Sequence, residues 1–383
     1  MPYDLSAYGR MIADTVRTGT YLEALRRAIK PGSVVVDIGA GPGIWSLAAC
    51  RFGARKVYAV EPAEIIQVAR ELAAANGFAD KIEFFQDLST RISLPERADV
   101  VVSEIHGVLP LFEQSVPSIL DARRRLLAPG GILIPQREII WAAVVDAPEL
   151  HKTFVSPWDE PLLDLDWRPA LRRACNRWAN KGGKIRPDQL VTPAQCWVEL
   201  DYRTLESVDA SGTLEWQGDH SATGHGLCLW FDSELVDGIG FSNAPGLPRL
   251  IFGQGFFPWP EAVALAEGDV ISVCLQAKFA GSGYVWRWDT RVCAAAGAVK
   301  AEFRQSNAFA EPVSAETLRR GRSDHVPRLT EDGLIDQFIL ARMDGEHSLD
   351  QIAHELQDHF PGRFADYYSA LTRAGEISER YSR

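Results

Sequence analysis

The sequence is poor in the features that would staple a chain covalently or through a metal. Six cysteines, at positions 50, 175, 196, 228, 274 and 293, are scattered through 383 residues. None forms a Cys-x-x-Cys pair and no histidine stands at zinc-site spacing, so they read as reduced core residues and no metal is expected. No stretch approaches the roughly 18 uninterrupted apolar residues of a membrane helix, and no membrane partner is expected. Met1 is followed by Pro-Tyr-Asp-Leu-Ser rather than by a basic patch and an apolar run, so no secretion signal is read and the expected compartment is the cytoplasm. Basic residues are in deficit: 40 Lys and Arg face 51 Asp and Glu, a net charge of −11. That balance suits a cationic ligand better than a phosphate backbone, and nucleic acid is not expected as a partner. There is neither an internal repeat nor a low-complexity tract.

What is present is ordinary globular material, 46% hydrophobic and 24% charged, long enough for a large core. Residues 20 to 135 alternate short β-branched runs (Ser33 to Asp37, Val57 to Val60, Asp99 to Val102) with helical segments such as Ile65 to Asn76. This alternation is the mark of parallel βα units and predicts an α/β doubly wound sheet. From about Glu138 strands are expected at Cys196 to Tyr202, Gly226 to Phe231, Val270 to Leu275 and Tyr284 to Asp289, forming an antiparallel β block. Three helical patterns close the chain, at Asp332 to Met343, Ser348 to His359 and Arg363 to Ala374, with Ser348 placed as a cap.

The most informative segment is Val36-Asp37-Ile38-Gly39-Ala40-Gly41-Pro42-Gly43, a strand running through an acidic residue into three glycines at alternate positions. Glycines there let backbone approach a ligand at the carboxyl edge of the sheet. An Asp leading into Gly-x-Gly-x-Gly would repel a pyrophosphate and suits a cationic cofactor, which favours S-adenosylmethionine; the alternative is a tight structural turn. Glu61 ends the next strand, where an acceptor binds two ribose hydroxyls. Asp87 and Leu88 follow the third strand, placed to meet an adenine amine and face, though an Asp in a loop is also simply solvated. The fourth strand leads into Ser103-Glu104-Ile-His-Gly-Val-Leu-Pro-Leu-Phe-Glu113, two carboxylates with a Gly107 turn between them.

This last loop resembles the double-Glu loop of the protein arginine methyltransferase family, in a bacterial, divergent form. Matching stretches are Tyr8-Gly-Arg-Met-Ile-Ala-Asp14-Thr-Val-Arg17-Thr, Phe52 to Glu61, Leu127 to Pro135 and Pro187 to Thr192, so the resemblance covers roughly residues 8 to 296. It implies a class I methyltransferase Rossmann-like domain with an N-terminal helix (1–137), a β-barrel substrate domain with a helical arm at about 158–185 (138–300), and a linker with a small helical C-terminal domain (301–383). It also implies that Arg17 binds the cofactor carboxylate, Glu61 the ribose, and Glu104 and Glu113 the substrate guanidinium as the catalytic pair, in a homodimer. Met11 falls at a position lining the family's active site, compatible with mono- or asymmetric dimethylation. His106, between the two acids, is a base, a substrate contact or a hydrogen-bonded wall residue.

The chemistry has its own logic. Methyl transfer from a sulfonium is an in-line displacement needing a nitrogen lone pair, and a guanidinium, with a pKa of about 13.8, has none to give until its charge is drawn elsewhere. Two carboxylates do that by charge-assisted, bidentate hydrogen bonds; their alternative use is in surface ion pairs with Arg123 to Arg125. One departure stands out. Where the family carries a Thr-His-Trp loop facing the pocket, this chain has Leu250-Ile-Phe-Gly-Gln254, so the histidine that would pair with an acid like Asp14 is absent. Phe256, Phe257 and Trp259 after it either line a pocket or form barrel core.

The final segment, Phe338 to Leu356, resembles the helical part of small PqqD-like peptide-binding domains, which would tie the protein to natural-product biosynthesis; a helical cap on the barrel is the alternative. The expected substrate is arginine in a peptide or protein. The runners-up are free arginine or another small guanidino compound or amine in a biosynthetic pathway, and a non-catalytic cofactor-binding protein.

Overall fold

The computed structural model describes residues 4–159, 164–179 and 185–382. The chain forms two compact units, Met1–Pro312 and Val313–Arg383. Two helices open the first unit, α1 (Leu5–Ala13) and α2 (Thr15–Ala28). Strands β1 (Val34–Ile38), β2 (Lys56–Val60), β3 (Ile82–Phe85), β4 (Ala98–Ser103) and β5 (Leu127–Ile134) follow, interleaved with α3 (Ile44–Arg51), α4 (Ile66–Ala75) and α5 (Ser115–Arg125). They pair in parallel in the order β3-β2-β1-β4-β5. All five residues of β1, Val-Val-Val-Asp-Ile, are buried, as expected of a central strand covered on both faces. The order reverses between β1 and β4, so the connections leaving their carboxyl ends diverge and leave the crevice where such sheets bind ligands.

The antiparallel part contains β6 (Arg137–Val145), β7 (Gln195–Asp201), β8 (Ala210–Gln217), β9 (Ala222–Val236), β10 (Ile239–Ser242), β11 (Gly255–Leu265), β12 (Val270–Phe279), β13 (Tyr284–Cys293) and β14 (Val299–Phe303). One sheet runs β10-β9-β6-β7 with β11 also on β9, and the other β14-β13-β12-β8. Aromatic residues fill the space between them. Phe257 lies 5.4 Å from Trp286 and 5.2 Å from Trp288, and the indole N–H of Trp197 donates to the Leu275 carbonyl at 3.2 Å. Phe256, Phe257 and Trp259 are completely buried, which makes them barrel core and not pocket lining. In the stretch read as an arm at about 158–185, α6 (Pro148–Asp159) begins earlier and α7 (Arg168–Ala174) follows, while residues 160–163 and 180–184 lie outside the described ones.

The cysteines are less uniformly internal than their scatter suggests. Cys50, Cys175 and Cys228 are buried, Cys274 and Cys293 are half-buried, and Cys196 is exposed on β7, beside an irregularity in its pairing with β6. The second unit carries α8 (Ala315–Arg320), α9 (Glu331–Leu340), α10 (Leu349–His359) and α11 (Tyr367–Tyr381). The last three share a small core of their own, including Ile335, Ile339, Ile352, Leu356, Phe364 and Ile377. Ser348 caps α10 in a capping box with Gln351. Among the described residues no helix is long and apolar enough to cross a membrane.

Asp37 joins β1 to α3. Its carboxylate is fully buried, accepts the Ser46 hydroxyl at 2.6 Å, and leaves its other oxygen without a partner. Burial pushes its pKa up to about 7, against the opposing pull of Ser46. A folded-state pKa above the unfolded value of about 3.9 contributes stability that is full below the unfolded pKa and is lost as pH rises through 7. Asp37→Asn, which keeps the shape without the charge, is therefore expected to melt at a higher temperature than the unaltered protein at pH 8. That advantage should shrink towards pH 4; thermal melts across this range check it, and a difference independent of pH would contradict the buried-charge account.

Candidate functional site

The glycine turn after β1 is built from left-handed backbone: φ is +73° at Gly39, +52° at Gly41 and +88° at Gly43. Packing adds a second constraint, since a Cβ on Gly39 would stand 2.2 Å from the Ile105 side chain and one on Gly41 would stand 2.8 Å from the Tyr8 ring. The turn is thus pressed between the loop after β4 and helix α1. Glu61, at the end of β2, reaches across to it. One of its oxygens accepts the Gly41 N–H at 3.0 Å and the other the Ala63 N–H at 2.9 Å. Those bonds fix the carboxylate in place, and each oxygen retains a further lone pair. Asp37, expected to contact the cofactor, has no exposed surface and directs one oxygen to the Ser46 hydroxyl. Asp87 is half-buried and accepts the Leu88 N–H at 2.7 Å, and Leu88 is 40% exposed at the sheet edge.

The loop from Glu104 to Gln114 carries the two acids in different environments. The Glu104 side chain is 10% exposed, and its carboxylate grips the Arg17 guanidinium bidentately, through Nε and Nη2. Arg17 also donates from Nη1 to the Met11 carbonyl at 2.9 Å and lies 5.3 Å from the Trp45 ring centre. Burial lowers the Arg17 pKa, and Tyr21 and Asp14 oppose that shift. The guanidinium expected to face a cofactor carboxylate is here held by the acid expected to face a substrate. Met11, half-buried at the end of α1, contributes its carbonyl oxygen to that contact.

Glu113 is exposed and makes no ion pair among the described residues. Its φ of +38° is unusual for a residue with a side chain. On either side of it, the Phe112 N–H donates to the Pro110 carbonyl at 2.9 Å, and the Gln114 side-chain amide donates to the Gly281 carbonyl in the β12–β13 turn. The two acids therefore stand on the same loop without facing a shared partner.

His106 does not face the loop's open side. Its side chain is 4% exposed and lies 3.3 Å from Glu138, a fully buried acid on β6. Sequence reasoning passed over Glu138, although the alternation of β6 puts it on the buried face with Ile140, Ala142 and Val144, where an acid is out of character. Asp14 is occupied as well. Its oxygens accept the backbone N–H of Arg17 at 3.1 Å and that of Ile251 at 2.8 Å. Where a histidine would stand against this acid, a main-chain amide does so instead.

The edge of the sheet thus presents a fixed carboxylate, a buried guanidinium and three close-approach glycines. This donor set fits a ligand with a diol, a carboxylate and a cationic centre, as S-adenosylmethionine has. Among the described residues no group of histidine, cysteine and carboxylate side chains could hold a metal ion.

Comparison with known proteins bears on the family and the fold. Residues 15–153 match the family described as ribosomal protein L11 methyltransferase (PrmA). The chain is 35% identical over 240 residues to protein arginine N-methyltransferase 6 of Danio rerio, covering 60% of this chain and 68% of that one. It is 30% identical over 231 residues to probable protein arginine N-methyltransferase 6 of Arabidopsis thaliana, covering 59% of this chain but only 53%, about half, of that relative. Its fold is similar to that in the Trypanosoma brucei PRMT1 enzyme-prozyme heterotetrameric complex with AdoHcy, with a TM-score of 0.70 and 22% identity over 79% of this chain and 98% of that one. The doubly wound sheet and the antiparallel barrel are matched by fold, and by its similarity to the Danio rerio protein the chain belongs to the protein arginine N-methyltransferase family.

Proposed function

We propose that the protein is an S-adenosylmethionine-dependent N-methyltransferase whose acceptor is the guanidinium of arginine in a peptide or protein. The observation that carries this reading is the bidentate grip of Glu104 on a guanidinium, that of Arg17, at the carboxyl edge of the sheet. A carboxylate already set to receive two parallel N–H donors has the geometry that a substrate arginine needs.

Arg17, Glu61 and the Gly39, Gly41 and Gly43 backbone would hold the cofactor, with Asp87 and Leu88 beside its base. When bound, S-adenosylmethionine supplies a methyl group on a sulfonium. Glu104 orients the guanidinium fork and concentrates its positive charge on the nitrogens that do not react. Glu113, open to solvent, faces the acceptor from the other side of the loop and is the acid of the pair not engaged by an internal cation. Arg17 has five N–H donors, so it can release Glu104 in exchange for a ligand carboxylate without becoming an unpaired buried charge. A homodimer, in which the α6–α7 segment meets the sheet domain of a second copy, completes the proposal.

Glu104→Gln is expected to lower turnover of an arginine peptide by about 100-fold or more, the scale of losing a preorganised charge contact. Its cofactor affinity should be unchanged or several-fold tighter, because Arg17 is freed. Transfer of labelled methyl groups, with cofactor binding measured by calorimetry, tests this; equal loss of both would mean that Glu104 acts only structurally. Offered an arginine peptide and free arginine together, the protein is expected to label the peptide. Label confined to free arginine would replace the acceptor, and label in neither would remove the guanidinium reading. Light scattering should give twice the chain mass, and a monomer at micromolar concentration would contradict the dimer.

A further inference from the structure

We infer that Arg328, in the segment between α8 and α9, is itself an acceptor of the transferred methyl group, so that the protein modifies its own chain. The inference rests on the proposed arginine-directed activity. In a chain whose net charge is −11, Arg319, Arg320, Arg322 and Arg328 crowd into residues 319–328, and every residue from Glu311 to Thr330 is exposed. The four arginines are not equivalent.

Arg319 and Arg320 close α8, and a helix, about 10–12 Å across with its side chains, is a poor shape for insertion into a crevice. Arg320 is also held by Glu316 one turn earlier, and Arg322 by both oxygens of Asp324, at 2.8 and 2.7 Å. Arg328 has neither restraint. Among the described residues its guanidinium makes no hydrogen bond and no ion pair. Its backbone is free as well. Pro327 lacks an N–H and biases Val326 towards extended backbone. The Thr330 side chain caps α9 by accepting the Gly333 N–H at 3.2 Å, so the helix starts only beyond it. From Val326 to Leu329 no main-chain hydrogen bond forms among the described residues. Val326 and Leu329, 81% and 56% exposed, leave large apolar side chains in water on either side of Arg328. Burying such surface favours insertion.

These are the properties an acceptor needs. A stretch with unpaired main-chain groups enters a crevice without first breaking local structure. A guanidinium with no internal partner gives up no ion pair on moving to a pair of acids, and Glu113, exposed and without an ion pair among the described residues, is complementary to it in charge. In the transfer, the methyl C–S bond of the sulfonium breaks as a C–N bond forms at an Nη of Arg328. S-adenosylhomocysteine leaves, and the nitrogen that gains the methyl group gives up one proton to water. The guanidinium keeps its positive charge and loses one hydrogen-bond donor.

The full-length protein, given S-adenosylmethionine with a labelled methyl group and no added acceptor, is expected to gain label on the proteolytic fragment containing Arg328, located by mass spectrometry. The protein as purified is mapped alongside, and an Arg328 already methylated there, but not in purified Glu104→Gln, supports the inference equally. Arg328→Lys should lose this label and still methylate an added arginine peptide at the unaltered rate, since Arg328 lies outside the residues assigned to the reaction. Glu104→Gln should lose label on both chain and peptide. An unmodified Arg328 in protein that labels the added peptide overturns the inference and leaves the acceptor reading standing, as does label confined to other arginines of the chain. Label on neither chain nor peptide removes the acceptor reading itself, and this inference with it. Dilution identifies the source of the acceptor: label per chain that falls with concentration means a second copy, and label independent of concentration means the same chain, both of them self-modification.

Discussion

A single buried ion pair, between Arg17 and Glu104, gathers the parts of the site. Arg17 belongs to α2, Glu104 to the loop after β4, the carbonyl that completes the contact to Met11 at the end of α1, and the nearby Trp45 ring to α3. Four segments, two of them consecutive in the chain, are thereby fixed around one guanidinium. In a medium that solvates charge poorly, removing either partner leaves the other uncompensated, which typically costs about 3–5 kcal/mol. The same condition makes the site responsive. On the proposed function, a ligand carboxylate would satisfy Arg17 and a ligand guanidinium Glu104, so the internal pair would stand in for the two kinds of charge received there.

The barrel acts on this crevice through fixed contacts from outside the parallel sheet. Ile251 donates its main-chain N–H to Asp14 between the two N-terminal helices, Gly281 receives the side-chain amide of Gln114 beside Glu113, and Glu138 meets His106. Each joins a barrel strand or turn to a segment that carries a site residue. The Leu250 to Gln254 stretch contains no histidine. Leu250 and Phe252 turn inward and are nearly buried, while the exposed Ile251 presents its amide to the acid. Asp14 is thus committed to holding backbone.

The elements legible from the residues alone follow from local rules. β-Branched runs alternating with helical segments specify parallel βα units, glycines at alternate positions specify the turn after β1, and Ser348 three residues before Gln351 specifies a helix start. The resemblance of the loop between Glu104 and Glu113 to one family was legible too, because it lies in contiguous residues. Tertiary structure alone decided which charges meet. Arg17 and Glu104 are 87 positions apart, and nothing local says that they pair in preference to ligands. Asp37 looked like a ligand contact from its place before the glycines, but burial between β1 and α3 turned it to Ser46. His106 and Glu138 became partners only when the first barrel strand packed against the loop. Side-chain direction and dielectric surroundings are properties of the packed interior, and a one-dimensional pattern carries neither.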